Sequence, residues 1–357
     1  MMEEYMRYGQ NVEHKYVFVC GLPRSGTSVL GRNIGRLENC TQFKNTGVFE
    51  DEGEFLQDVY PVASTYGGAG SFGFDPRAHL TESSNLLTAE NVARLRASWH
   101  THWDNNKTIC VEKTPGNLLM TRFLQAAFPN AYFVVIKRHP LPMSMACQKW
   151  KVDVNSLYST FEHWLHCHQL FEEDKQHLRF VYELRYEDYV QNPAKYHEEI
   201  AAFIGTRVPE PPKEDKFRYV AQWRSPSGLR VPEYAMEEVS GAYSKKYFDR
   251  WSDLLNDSPF RTYYRYTLTK YDSRFARYGY SLTEGLDERD KVRLGYCNIS
   301  RIVGTSYCLA ADAAAFVVRI RARFMGQMKK QLRARLPEPV KLKIRRVRRR
   351  PIVATRS

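Results

Sequence analysis

The sequence predicts an α/β protein: a three-layer parallel sheet with flanking helices, followed by a basic, partly helical C-terminal extension. Three observations predict it. Four short apolar runs each end in a glycine turn or a polar cluster. Segments with helical apolar spacing lie between them. The excess charge is confined to one end of the chain. Of the 357 residues, 43% are hydrophobic and 13% aromatic. That supplies a sizeable core and excludes wholesale disorder, a collagen-like chain and a small disulfide scaffold.

The elements follow in chain order. Tyr16-Val17-Phe18-Val19-Cys20 is an apolar run ending at Gly21 and reads as a buried strand. Ser28 to Leu37 has helical spacing through Leu30, Ile34 and Leu37. Thr108-Ile109-Cys110-Val111 is a second strand ending at Glu112-Lys113, and a helix is expected from Leu118 to Phe128, stopped by Pro129. Tyr132 to Ile136 is the strongest strand signal and ends at Lys137-Arg138. Leu178 to Leu184 is a fourth strand, followed by Arg185-Tyr186-Glu187-Asp188. Strands alternating with helices indicate a parallel sheet, whose ligands bind at the carboxyl ends of the strands. The Gly21 turn and the three polar clusters fall there. Residues 207–260 are rich in Pro, Ser and charge and read as loops and helices beside the site. Tyr263 to Tyr280, rich in Tyr and Arg, closes the body.

Charge divides the chain into a body, residues 1–282, and an extension, residues 283–357. The extension holds 19 Lys and Arg against 6 Asp and Glu, while the body holds 34 of each, so the whole net charge of +13 lies in the extension. Residues 310–336 are helical in pattern, and Lys341 to Arg350 has seven basic residues in ten. Such a segment suits an anionic membrane surface, an acidic polymer or plain solvation, with nucleic acid the least favoured partner. The seven cysteines are scattered with no CxxC pair, which suits free thiols in a reducing compartment. The opening MMEEYMRYGQ lacks an apolar signal core, and no long uncharged apolar stretch follows. A cytoplasmic protein is expected, with the extension able to place it at the inner face of a membrane.

The main chemical signal is Gly21-Leu22-Pro23-Arg24-Ser25-Gly26-Thr27-Ser28, set between a strand and a helix. Gly21 and Gly26 allow a tight turn and close approach to an anion. The helix start offers unpaired N–H groups and a positive dipole end, and Ser25, Thr27 and Ser28 add hydroxyl donors. The loop therefore reads as a phosphate cradle on a P-loop-like nucleotide-binding fold. It is not a Walker A loop, because Thr27 stands where the lysine should be. Arg24 lies inside the loop instead, which favours a phosphate handled by arginine and backbone without a metal.

These residues resemble the family of sulfotransferases that use 3′-phosphoadenosine-5′-phosphosulfate (PAPS), with the flavour of its bacterial and its polysaccharide- and tyrosylprotein-modifying branches. Pro23 to Ser28 matches the family's P-[KR]-S-G-T-[ST] loop. Phe133 to Arg138 with His139-Pro140 and Ser144 is similar to its second motif. Tyr186-Glu187-Asp188 looks like its later Tyr-Glu-Asp, and Val111-Glu112-Lys113-Thr114-Pro115 is similar to a stretch of the polysaccharide-modifying branch. The resemblance implies that Pro23, Arg24, Ser25, Gly26, Thr27 and Ser28 hold the 5′-phosphosulfate. It implies that Arg138 and Ser144 hold the 3′-phosphate, that Tyr186 lies near the adenine, and that Lys113 sits beside the transferred group. The family's serine stands eight residues after the arginine, a place held here by Ala146; Ser144 lies at six, and Gln148 or Lys149 could add a donor. A later Arg-Lys-Gly segment of cytosolic members is missing, with Lys245 and Lys246 as substitutes.

Sulfuryl transfer needs a cation on the bridging oxygen, donors toward the equatorial oxygens and a base for the acceptor's proton. Arg24, Lys113 and the loop N–H groups can supply the first two; the other reading of Lys113 is a surface ion pair with Glu112. For the base, Glu50-Asp51-Glu52-Gly53-Glu54 places four carboxylates in five residues, and their mutual repulsion would lift a pKa toward neutrality. Glu52 is favoured over Glu50; the other reading is a solvated acidic loop. Pro115 occupies the place of the cytosolic branch's histidine base. The expected acceptor is a hydroxyl of a saccharide, glycolipid or small metabolite. Oligomeric state is not legible. The rival readings are a nucleotide kinase or other P-loop NTPase, and an inactive adaptor bound to membrane through its extension.

Two constellations are set aside. His163, His166, Cys167 and His168 fall in a segment that reads as an ordinary helix, so no metal is expected there. Gly68, Gly70 and Gly73 have the spacing of a dinucleotide fingerprint but neither follow a strand nor open a helix. They read as a loop lining the acceptor pocket.

Overall fold

Five strands, all parallel, form one sheet in the order β2–β3–β1–β4–β5 in the computed structural model. The structure describes residues 14–148, 157–209 and 261–283. The strands are β1 (Lys15–Gly21), β2 (Cys40–Gln42), β3 (Ile109–Lys113), β4 (Ala131–Lys137) and β5 (Val181–Arg185). Eight helices accompany them among the described residues: α1 (Thr27–Ile34), α2 (Ala89–His100), α3 (Thr121–Ala127), α4 (Pro140–Gln148), α5 (Leu157–Lys175), α6 (Tyr186–Gln191), α7 (Pro193–Ile204) and α8 (Arg261–Ala276). Parallel neighbours cannot be joined by a hairpin, so the chain crosses over between strands, mostly through these helices.

Both faces of the sheet are covered, which is why its strands read as continuous apolar runs. On one face Phe18, Cys20, Phe133 and Val135 pack with Trp99, Phe128, Phe161 and Trp164, all buried. On the other, Val17, Val19, Val134 and Ile136 pack with Leu30 and Ile34 of α1 and Ile200 and Ile204 of α7. Two helical layers therefore enclose a central sheet. The register aligns Val19 with Lys113, Gly21 with Ile136 and Lys137 with Arg185. The glycine turn and the three polar clusters thus share one edge of the sheet.

Four expected strands are present and a fifth, β2, joins the edge. Helix α2 also went unread. The helix expected from Ser28 to Leu37 stops at Ile34. A Cβ on Gly35 would lie 2.5 Å from the Gln42 side chain, so the chain turns there to deliver β2. The segment Leu118 to Phe128 divides into a 3-10 turn, Pro115–Leu119, and the seven-residue α3. Cys20, Cys40, Cys110, Cys147 and Cys167 are buried free thiols. No described helix is long and apolar enough to cross a membrane. Lys149, Lys245, Lys246, Cys297, Cys308 and the extension beyond residue 283 lie outside the described residues, as does the Gln148 side chain.

Candidate active site

The loop after β1 folds as its residues dictate. Ser25 N–H donates to the Leu22 carbonyl at 3.1 Å, closing the turn. Arg24 and Gly26 both have positive φ, 70° and 97°. Gly26 caps α1, and a Cβ there would meet the Tyr186 ring at 2.5 Å, so no other residue fits without displacement. Tyr186, at the end of β5, thus lies against the loop. Arg138 also lies against Tyr186, its guanidinium carbon 4.3 Å from the ring centre. Arg138 Nη1 also donates to the Arg24 carbonyl at 2.7 Å, bracing the strained residue. Trp164 Nε1 donates to the Arg138 carbonyl at 3.1 Å, and His139 N–H donates to Glu187 at 2.9 Å.

Three groups around this loop fit an anion. Ser25 Oγ, Ser144 Oγ and Arg138 Nε are buried and have no hydrogen-bond partner. Buried donors left unpaired are costly and rare in native proteins. The α1 N-terminus has no side-chain cap and no acidic residue in its first turn. The residues present therefore suit a phosphate or sulfate group. Ser144, on α4, is wholly enclosed, and Ala146 two residues on is buried too.

The acidic segment folds back onto β3 and α1. Glu50 and Asp51 have φ of 48° and 51°. Asp51 stabilises this turn by accepting from Thr46 N–H at 2.8 Å and Thr46 Oγ1 at 2.6 Å. Asp51 is thereby occupied, while Glu50 and Glu52 face the sheet edge. Lys113 Nζ donates to Glu52 Oε1 at 2.8 Å and to Glu50 Oε2 at 3.4 Å. Ser28 Oγ donates to Glu50 Oε2 at 2.5 Å. A continuous chain, Glu52–Lys113–Glu50–Ser28, therefore links the acidic segment to the loop.

Lys113 is buried and does not form a surface pair with Glu112. Successive strand residues face opposite sides of the sheet. The Lys113 stem lies over Gly31 of α1, where a Cβ would come within 3.0 Å of it. Glu112 faces the other way and accepts from Gly53 N–H at 2.9 Å, Thr114 Oγ1 at 2.5 Å and Asn117 Nδ2. A Cβ on Gly53 would lie 2.6 Å from that carboxylate. Glu112 thus clamps the residue next to Glu52. The sequence reading missed this role, although strand alternation separates Glu112 from Lys113.

Burial pushes the Glu52 carboxyl up to about 8; the Lys113 ammonium opposes this, and Glu50 and Glu54 add to it. Burial likewise lifts Glu54 to about 7, against the hydrogen bond it accepts from Ala63 N–H at 2.7 Å. The expected shift is present, but its main cause is burial and not carboxylate crowding. Burial alone would lower the Lys113 ammonium, yet Glu52 and Glu50 hold it above its ordinary value. The arrangement can hold an oxyanion, neutralise developing negative charge and accept a proton at one end of the sheet.

The glycine-rich segment packs against α5. Phe72 is buried, and Gly73 N–H donates to His163 Nε2 of α5 at 3.0 Å. His163 and Cys167, one turn apart, face this contact with 3.4 Å between Nε2 and Sγ, while His166 is exposed. Cys167 and His168 of α5 are both buried.

Comparison with known proteins follows the same lines. Residues 17–210 match the model of a family described as the sulfotransferase family. A sulfotransferase of Mycobacterium tuberculosis is similar in structure at 15% identity, with 58% of this chain and 72% of that one covered and a TM-score of 0.38. The sulfotransferase domain of the Synechococcus PCC 7002 olefin synthase matches at 17% identity, covering 56% and 78%, with a TM-score of 0.38. Retinol dehydratase, solved with androsterone and inactive cofactor PAP, matches at 16% identity, covering 58% and 66%, with a TM-score of 0.31. No curated protein matches.

Proposed function

The chain belongs to the sulfotransferase family, and from that premise we propose that it moves a sulfuryl group from PAPS to an acceptor hydroxyl of a saccharide, glycolipid or small metabolite. In this reading Pro23, Arg24, Ser25, Gly26, Thr27 and Ser28 hold the 5′-phosphosulfate. Arg138 and Ser144 hold the 3′-phosphate, and Tyr186 lies near the adenine. The unpaired Ser25 Oγ, Ser144 Oγ and Arg138 Nε support it.

Glu52 takes the acceptor's proton. As the acceptor O–H bond breaks, its oxygen forms a bond to sulfur. The bond from sulfur to the phosphate oxygen breaks, and its electron pair stays with adenosine 3′,5′-bisphosphate. Lys113 and Arg24 face the charge that develops, and the loop N–H groups face the sulfuryl oxygens. Glu50, already bonded to Ser28 and Lys113, holds the two together. The scheme calls on no metal, since two cations and the helix start supply the positive charge.

The observation that carries this reading is Lys113 seated between Glu52 and Glu50, with Glu50 hydrogen-bonded to Ser28 in the first turn of α1. The test is sulfate transfer from PAPS to a panel of saccharide, glycolipid and small hydroxyl acceptors. The wild-type chain is expected to turn over at least one acceptor. Glu52→Gln is expected to lower kcat by about 10²–10⁴, the usual worth of a general base. Full activity in that variant would remove Glu52 from the role.

A further inference from the structure

We propose that His14, His100 and Cys110 bind a zinc-class divalent metal ion at the end of the sheet opposite the phosphate loop. One donor atom from each lies within 4.8 Å of the other two. They come from three elements. His14 immediately precedes β1, Cys110 is the second residue of β3, and His100 ends α2. Tyr16 pairs in register with Cys110. Alternate strand residues share a face, so His14, Tyr16 and Cys110 all stand on the side that α2 covers. The two imidazoles touch edge to face, with ring centres 5.1 Å apart.

The hydrogen bonds leave the nitrogens suited to a metal. Asn105 Nδ2 donates to the His100 carbonyl at 3.0 Å, which turns its Oδ1 toward His100 Nδ1 at 2.6 Å. Nδ1 must therefore carry the proton, and Nε2 keeps its lone pair. This is the outer-shell arrangement that fixes a ligating histidine's tautomer. Tyr16 OH donates to that Nε2 at 3.0 Å, a hydrogen bond that a bound ion would replace, and marks the fourth side of the cluster. His14 Nε2 is buried and has no hydrogen-bond partner. The orphaned His14 nitrogen, beside a buried thiol and an imidazole nitrogen held as an acceptor, gives a cation one unpaired donor and two within reach.

The donor set selects the ion. Two imidazoles and one thiol suit borderline-soft Zn²⁺ and disfavour Mg²⁺ or Ca²⁺, which require oxygen ligands. Bonds of about 2.0 Å to nitrogen and about 2.3 Å to sulfur place tetrahedral donors roughly 3.5 Å apart, so side-chain rotation of about an ångström closes the site. On binding, the Cys110 S–H bond breaks, the electron pair goes to the metal, and the proton leaves to solvent. The ion then ties the start of β1 to β3 and to the end of α2. The sequence reading placed no metal ligands here, because the three residues are far apart along the chain and share no motif.

The test uses the full-length, untagged protein, stripped with a chelator and titrated with Co²⁺ and then Zn²⁺. One equivalent of Co²⁺ is expected to give a thiolate-to-metal charge-transfer absorption that Zn²⁺ abolishes, and Zn²⁺ is expected to raise the thermal midpoint. Cys110→Ser is expected to lose the absorption. His14→Gln, at a half-buried position just before the start of β1, is expected to fold normally by circular dichroism and to bind at least tenfold more weakly. Three outcomes would overturn the proposal: no stoichiometric binding, binding without the charge-transfer band, or wild-type affinity in a folded His14→Gln protein.

Discussion

Glu52 gains nothing from water and is close to one cation, Lys113. Its carboxyl is raised by burial to about 8 from an ordinary 4.5. The consequence for stability has a definite sign. Between those two values the folded chain keeps a proton that the unfolded chain has released, so the native state binds more protons and stability falls as pH rises. Glu54 acts in the same direction up to about 7. Chemical denaturation across pH 4.5 to 8 is therefore expected to show declining stability, with a shallower decline in Glu52→Gln. The rate has the opposite sign. A base must be ionised, so kcat/KM is expected to rise with pH toward about 8. A flat stability profile in both proteins would contradict the assigned burial of Glu52.

Short elements carry the site, and they differ in how much the sequence showed of them. The loop and β4 were legible because both have strong local signals: glycines at a strand–helix junction, and an unbroken apolar run. The strand β2 was not, since three residues, Cys40–Gln42, are too few to show a period. The helix α2 was missed because Glu90, Arg94 and Arg96 dilute an apolar face that comes down to Leu95 and Trp99. The Glu50–Glu52 segment was legible as acidic. Its burial was not, because that depends on Asp51 bonding Thr46 and on Glu112 clamping Gly53. Glu112→Gln turns one acceptor into a donor against its three donors. It is expected to cost about 1–3 kcal/mol and to lower kcat while leaving bisphosphate affinity nearly unchanged, as read by denaturation, kinetics and calorimetry together. Gly26→Ala acts on the phosphate loop itself. Its φ of 97° and the Tyr186 ring at 2.5 Å leave no space for a methyl group. Bisphosphate affinity is expected to fall about tenfold or more, with a strain of about 1–3 kcal/mol in the folded protein.

At the scale of the molecule, the parallel sheet does one thing that no single element does. It brings Gly21, Lys113, Arg138 and Tyr186 to one edge from four different strands, through a common register. The same parallel order puts the strand starts, and with them His14 and Cys110, at the opposite end. The proposed nucleotide and metal sites therefore share no residue. The central claim is that the first edge is built for a nucleotide with a 3′-phosphate, read by Arg138. The measurement that tests it most directly is calorimetric titration of the full chain and of Arg138→Ala with adenosine 3′,5′-bisphosphate, with ATP and Mg²⁺ as the comparison. Binding of the bisphosphate is expected at micromolar affinity or better, weakened by at least about 1.5–3 kcal/mol in the variant, the worth of hydrogen bonds to a charged group. Preference for ATP with Mg²⁺, or equal bisphosphate binding by a folded Arg138→Ala protein, would contradict it.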